Sequence, residues 1–181
     1  MNSITRRKVF ISYHHVDQAE VQEFINTFDH ERNVFIRRAL GVDMADDIIN
    51  STDTDYVMRR IRENYLNDST VTICLIGQCT WARRYVDWEI QASLRHNKNT
   101  LPNGLLGIIL PSASKNFTIP ERLAKNILGE NNDEGYACCY HYPQRKDSLA
   151  NLIEKAYQAR FTKTHLINNP PVKFLYNRTC P

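Results

Sequence analysis

The run Val71-Thr72-Ile73-Cys74-Leu75-Ile76 constrains this 181-residue chain more than any other segment. It carries no charge, is rich in β-branched side chains and stops at Gly77. A strand that alternates polar and apolar residues can leave one face in water, but a continuous apolar strand needs cover on both faces. Asn103 to Leu110, stopped by Pro111, is a second run of this kind, and Lys8-Val9-Phe10-Ile11-Ser12-Tyr13 is a short run rich in strand formers that ends in polar residues. Helical periods lie between and around them. Val21, Phe24, Ile25 and Phe28 fall on one helix face after Asp17, and Val57, Ile61 and Tyr65 recur every four residues. Trp81, Tyr85, Trp88 and Ala92 form a further stripe, with Thr80 as its expected cap. A short helix is expected over residues 119–128, with Pro120 in its first turn. Leu149, Leu152, Ile153 and Ala156 mark the last helix.

Adding a weak strand at Val34-Phe35-Ile36 and a fifth at Tyr136 to Tyr142 gives five strands alternating with helices. That order predicts a flavodoxin-like, doubly wound α/β domain: a five-stranded parallel sheet with helices on both faces. The length suits one domain. We place it at residues 1–162, followed by an extended tail, residues 163–181, packed on or near it. Residues 37–54 show no clean period, carry Asp43, Asp46 and Asp47, and read as a long loop.

Composition narrows the function. The net charge is only +3 and the one tight basic cluster near a terminus is Arg6-Arg7-Lys8, which counts against nucleic acid as a partner. The apolar runs are too short to span a bilayer, and the N-terminus lacks the apolar core of a signal peptide, so a cytoplasmic location is expected. The five cysteines (Cys74, Cys79, Cys138, Cys139 and Cys180) are odd in number and form no C-x-x-C pair. Neither a disulfide framework nor a zinc site is expected from them, and reduced thiols are the simpler reading.

In an open parallel sheet, ligands bind beyond the carboxyl ends of the strands, where strand order reverses. With order 2-1-3-4-5 that point lies between strands one and three. The segments leaving it are Ser12-Tyr13-His14-His15 and Gly77-Gln78-Cys79-Thr80-Trp81. The chain has no G-x-x-x-x-G-K-[ST] loop, no G-x-G-x-x-G after strand one and no G-x-S-x-G elbow. The acidic cluster a phosphoacceptor receiver needs after strand one is replaced by Ser12-Tyr13-His14-His15.

The segment Lys8 to His14 resembles the "VFISY/F-H" opening of TIR and TIR-like domains. Thr70 to Gly77, followed by Thr80-Trp81-Ala82-Arg83-Arg84-Tyr85-Val86-Asp87-Trp88-Glu89-Ile90, resembles that family's third strand and next helix. Within the family the joined pattern is similar to the ThsB-type TIR-like proteins of the bacterial Thoeris anti-phage system, over about residues 8–110. The resemblance implies an enzyme that cleaves the nicotinamide–ribose bond of NAD+, with Glu89 at the position of the family's catalytic glutamate. Ser12, Tyr13, His14, Gly77, Trp81 and Arg84 are the expected substrate-binding residues. NAD+ is then the substrate, and neither a metal nor a separate cofactor is called for. The implied product is an ADP-ribose-derived signal that acts on a separate effector in antiviral defence. A phage-derived trigger and self-association complete the expected partners. Two other readings stand beside it. One is a non-catalytic TIR-like interaction module. The other is a nucleoside N-glycosidase or deoxyribosyl transferase, which also sets a carboxylate beside ribose. A helical glutamate taken alone is ordinarily a solvated side chain, and His14 and His15 are expected to be exposed.

Overall fold

The computed structural model describes residues 5–31, 34–39, 53–127 and 134–181. Five strands, β1 (Arg7–Ser12), β2 (Phe35–Ala39), β3 (Val71–Ile76), β4 (Gly104–Ile109) and β5 (Cys138–His141), form one sheet in the order β2-β1-β3-β4-β5. Every pairing is parallel. The helices are α1 (Gln18–Ile25), α2 (Thr54–Ile61), α3 (Arg84–Ser93), α4 (Glu121–Ile127) and α5 (Lys146–Thr162). α1 and α2 each run on into a wider π-helical turn, Asn26–Glu31 and Arg62–Leu66. Most of the expected loop, residues 40–52 with its three aspartates, lies outside the described residues, as does the side chain of Tyr65.

Side chains alternate across the sheet, so each strand feeds two cores. Val9, Ile11, Val71, Ile73, Leu75, Leu106 and Ile108 meet α1 and α5 through Val21, Phe24, Leu149 and Ile153. Phe10, Cys74, Ile76, Leu105 and Ile109 point the other way, to α2, α3 and α4. Adjacent Cys138 and Cys139 divide between the two faces in the same manner. Gly104 lets α5 cross β4 at main-chain contact, since a Cβ there would lie 2.0 Å from the Ala156 carbonyl oxygen.

Two local expectations change. Thr80 does not cap α3. It belongs to a separate 3-10 turn (Thr80–Ala82), and its Oγ1 accepts the Gly77 N–H at 2.9 Å. Pro120 stands just before α4 rather than inside its first turn. A third concerns the thiols: Cys79 and Cys180 are joined in a disulfide with Cα atoms 5.6 Å apart. The remaining three cysteines are free. The expectation of reduced thiols fails for this pair because chain folding brings residues 101 positions apart together, which no local spacing announces.

That bridge ends a strap. After α5 and a 3-10 turn (Thr164–Leu166), the chain runs along the outer side of α3 toward its N-terminus. Asn168 exchanges two hydrogen bonds with the Asn126 side chain. The Gln91 Nε2 donates to the carbonyls of Pro170 and Pro171, and Trp88 Nε1 donates to that of Phe174 at 2.8 Å. Arg84 N–H reaches Asn177 Oδ1, and Arg178 N–H donates to the Ala82 carbonyl.

Candidate active site

α3 is loaded on three sides, as its 3.6-residue period requires. Val86 and Ile90 enter the core over β3 and β4. Tyr85, Trp88 and Ala92 pack with Phe10 and α2. Trp81, expected in the same stripe, sits half-buried in the preceding turn. Glu89 and Ser93 point down at the sheet.

Beneath α3 runs a polar seam. Ser93 Oγ donates to the Glu89 carbonyl and lies 2.7 Å from Thr72 Oγ1. Asn103 Nδ2 donates to Thr72 Oγ1 and Ser69 Oγ at the far end. At the near end, Ser12 Oγ donates to Glu89 Oε2 at 2.5 Å. Ser12 is the last residue of β1 and shares a sheet face with Phe10. Its register partner on β3 is Cys74. The pair therefore lies at the carboxyl end of β1, between β1 and β3, where strand order reverses.

Glu89 is 3% exposed. Burial pushes its carboxyl up to about 8, and the Ser12 hydroxyl pulls the other way without cancelling that. The carboxyl in turn raises Tyr13, whose hydroxyl donates to Gln18 Oε1 at 2.6 Å and whose own burial is the larger cause.

His14 is buried rather than exposed, while His15 beside it faces water. Among the described residues the His14 Nδ1 has no hydrogen-bond partner, and the ring meets His15 edge-on at 4.5 Å. Burial, with Arg83 and His15 nearby, lowers it to about 4, so the imidazole is neutral at pH 7. Gly77 is pressed by Asp17. A Cβ at Gly77 would lie 2.2 Å from Asp17 Oδ2, and Oδ2 accepts a long 3.4 Å bond from Thr80. Burial raises the Asp17 carboxyl.

Ser12, Tyr13, His14, Gly77 and Glu89 thus gather at one end of the sheet. Arg84 is turned elsewhere: its guanidinium lies over the Tyr85 and Trp88 rings and donates to the Tyr85 hydroxyl and the Leu175 carbonyl. Arg83, which donates to the Cys79 carbonyl, is the arginine near His14.

Sequence reading missed the outer side of α3. Asp87 is buried and receives a forked guanidinium from Arg122, at 2.8 and 3.2 Å. Arg122 spends its other donors on Asn169 Oδ1 and the Pro170 and Val172 carbonyls, and the Phe174 N–H also reaches Asp87. An Asp and an Arg 35 residues apart carry no mutual signal in a single sequence. Two clefts of about 420 and 180 Å³ flank the strap, and neither includes Glu89.

Among curated proteins none matches the chain. The family model described as "Thoeris protein ThsB, TIR-like domain" matches residues 10–115, a span that holds the carboxyl end of β1 with β3, α3 and β4 and so both Ser12 and Glu89. Together with the five-stranded parallel sheet in the order 2-1-3-4-5, this match means that the chain belongs to the ThsB TIR-like domain family.

Proposed function

We propose that the protein cleaves the nicotinamide–ribose bond of NAD+ and releases an ADP-ribose-derived signal that activates a separate effector in antiviral defence. The observation that carries this reading is Glu89, buried at the β1/β3 switch point and held by Ser12 at 2.5 Å. In the reaction the C1′–N bond breaks, its electron pair passes to the nicotinamide nitrogen, and the ring leaves neutral. Positive charge develops on the ribose. An ionised, fixed carboxylate in a dry site stabilises that charge far better than one in water. A nucleophile then bonds to C1′ and loses its proton.

The protonation state of Glu89 matters to this scheme. With its carboxyl held at about 8, Glu89 is mostly neutral at pH 7 in the free protein. The cationic nicotinamide ring of NAD+ favours the ionised form as it docks. For the free protein, kcat/KM should therefore rise with pH through about 8.

The test is nicotinamide release from NAD+ by the purified protein, alone and with lysate from phage-infected cells, read by chromatography. New ADP-ribose-type compounds are identified by mass spectrometry. Glu89→Gln should abolish both signals. Unchanged turnover in that variant would remove Glu89 from the mechanism. Partner binding that survives Glu89→Ala, with no loss of NAD+ in the wild type, would establish an interaction module instead.

A further inference from the structure

Arg122 lies on α4, yet it is 4% exposed and every one of its N–H groups has an acceptor nearby. A guanidinium offers five donors. Two go to Asp87 on α3, and three go to Asn169, Pro170 and Val172 on the strap. One side chain thus cross-links α3, α4 and the strap. Without the strap, three buried donors lose their partners. The strap is therefore part of the domain's polar interior and not a loose appendage.

Asp87 and Glu89 lie two residues apart on a ten-residue helix, with Asp87 gripped from outside and Glu89 pointing at the sheet. We propose that Arg122 is a positioning residue for Glu89: by tying the strap over the outer side of α3, it fixes how deeply that helix sits on the sheet and so where the Glu89 carboxyl lies. This rests on the reading of Glu89 given above.

The geometry leaves little slack. The Ser12–Glu89 contact is 2.5 Å. An outward shift of about 1 Å takes it to the edge of hydrogen bonding. Misplacement on that scale costs about 100-fold in rate. Trp88 adds a second tie on the same side through its bond to the Phe174 carbonyl. The groups that face Glu89 are Ser12 and Tyr13 from β1 and its end, and Cys74 from β3.

The experiment uses full-length Arg122→Gln, Arg122→Lys and Trp88→Phe, each checked for folding by thermal melting. It reads kcat and KM for nicotinamide release and, independently of turnover, the carboxyl carbon shift of labelled Glu89 against pH. Arg122→Gln should lower kcat about 10- to 100-fold with KM within about twofold. Its Glu89 midpoint should fall from about 8 toward the ordinary carboxylate range as water enters. Arg122→Lys should recover part of both effects. Trp88→Phe, which keeps the ion pair, should move both less and in the same direction. If Arg122→Gln does not fold, the other two variants decide. Wild-type kcat and an unmoved Glu89 titration in folded Arg122→Lys and Trp88→Phe would overturn the proposal. A wild type that releases no nicotinamide with any lysate defeats the NAD+ reading, while the carboxyl titration still decides whether Arg122 positions Glu89.

Discussion

Asp87 and Glu89 are both buried, both acidic and on the same helix, yet the fold treats them in opposite ways. Asp87 receives a forked guanidinium and a backbone N–H. Glu89 receives one hydroxyl bond, from Ser12, and sits in an environment that favours its neutral form. A buried carboxylate saturated with charge-assisted donors is a fastener. One held by a single neutral donor is poised to change protonation, and such groups gather where chemistry is done. The contrast sets a structural carboxylate apart from the one proposed to be catalytic on the same helix.

The largest expected effect falls on the fastener. Arg122→Ala leaves Asp87 buried without its partner and should cost about 3–5 kcal/mol, seen as a large drop in melting temperature or loss of folded protein. A mild change would mean that Asp87 is not the fastener described here. Glu89→Gln should do the reverse. Turnover should fall at least about 100-fold, while the fold gains stability in alkali. The native carboxyl keeps its proton up to about 8, whereas the unfolded one releases it near 4.5. Stability is therefore lost as pH rises between those values, by at most a few kcal/mol. Wild type and Glu89→Gln should melt alike near pH 4.5 and diverge by pH 9, with the variant higher. Equal melting at both would erase the contrast.

Reduction of the Cys79–Cys180 bridge, or Cys180→Ser, should cost about 2–4 kcal/mol, since it closes a long stretch of chain. Melting with and without dithiothreitol measures it. The smallest effect is Ser12→Ala, at about 1–2 kcal/mol. Because the Ser12 bond lowers the Glu89 carboxyl, its loss should move the midpoint of the pH–rate profile to higher pH. A shift to lower pH would contradict the hydrogen bond as described.

The sheet was legible in the sequence because its central strands β3 and β4 are uncharged apolar runs, and both-face burial leaves few architectures open. Glu89 was legible only through the family pattern, since a lone helical glutamate reads as solvated. Its link to Ser12 follows from strand parity: residues 10 and 12 share a face, and that face lies under α3. An extended tail over residues 163–181 was expected, but which surface it covers was not legible. Its contacts are made largely by main-chain carbonyls of Pro170, Pro171, Val172 and Phe174, and a carbonyl is the same whatever side chain it precedes. Nothing in the sequence marks Arg122, because its acceptors come from residues 35 to 50 positions away. His14 departs from expectation: polar residues after a strand usually reach water, whereas here the chain turns at once into the 3-10 segment His15–Asp17 and the ring is buried against His15.

The seam of Ser69, Asn103, Thr72 and Ser93 gives α3 a rotational index. Turning the helix by one residue, about 100°, would offer Trp88 or Ile90 to the Ser12 hydroxyl and tear Ser93 away from Thr72. Apolar packing alone tolerates such spinning, because one greasy side chain can replace another. Hydroxyls that match only in a single azimuth do not, so this small polar line works as a keyway that admits Glu89 to the switch point in one orientation.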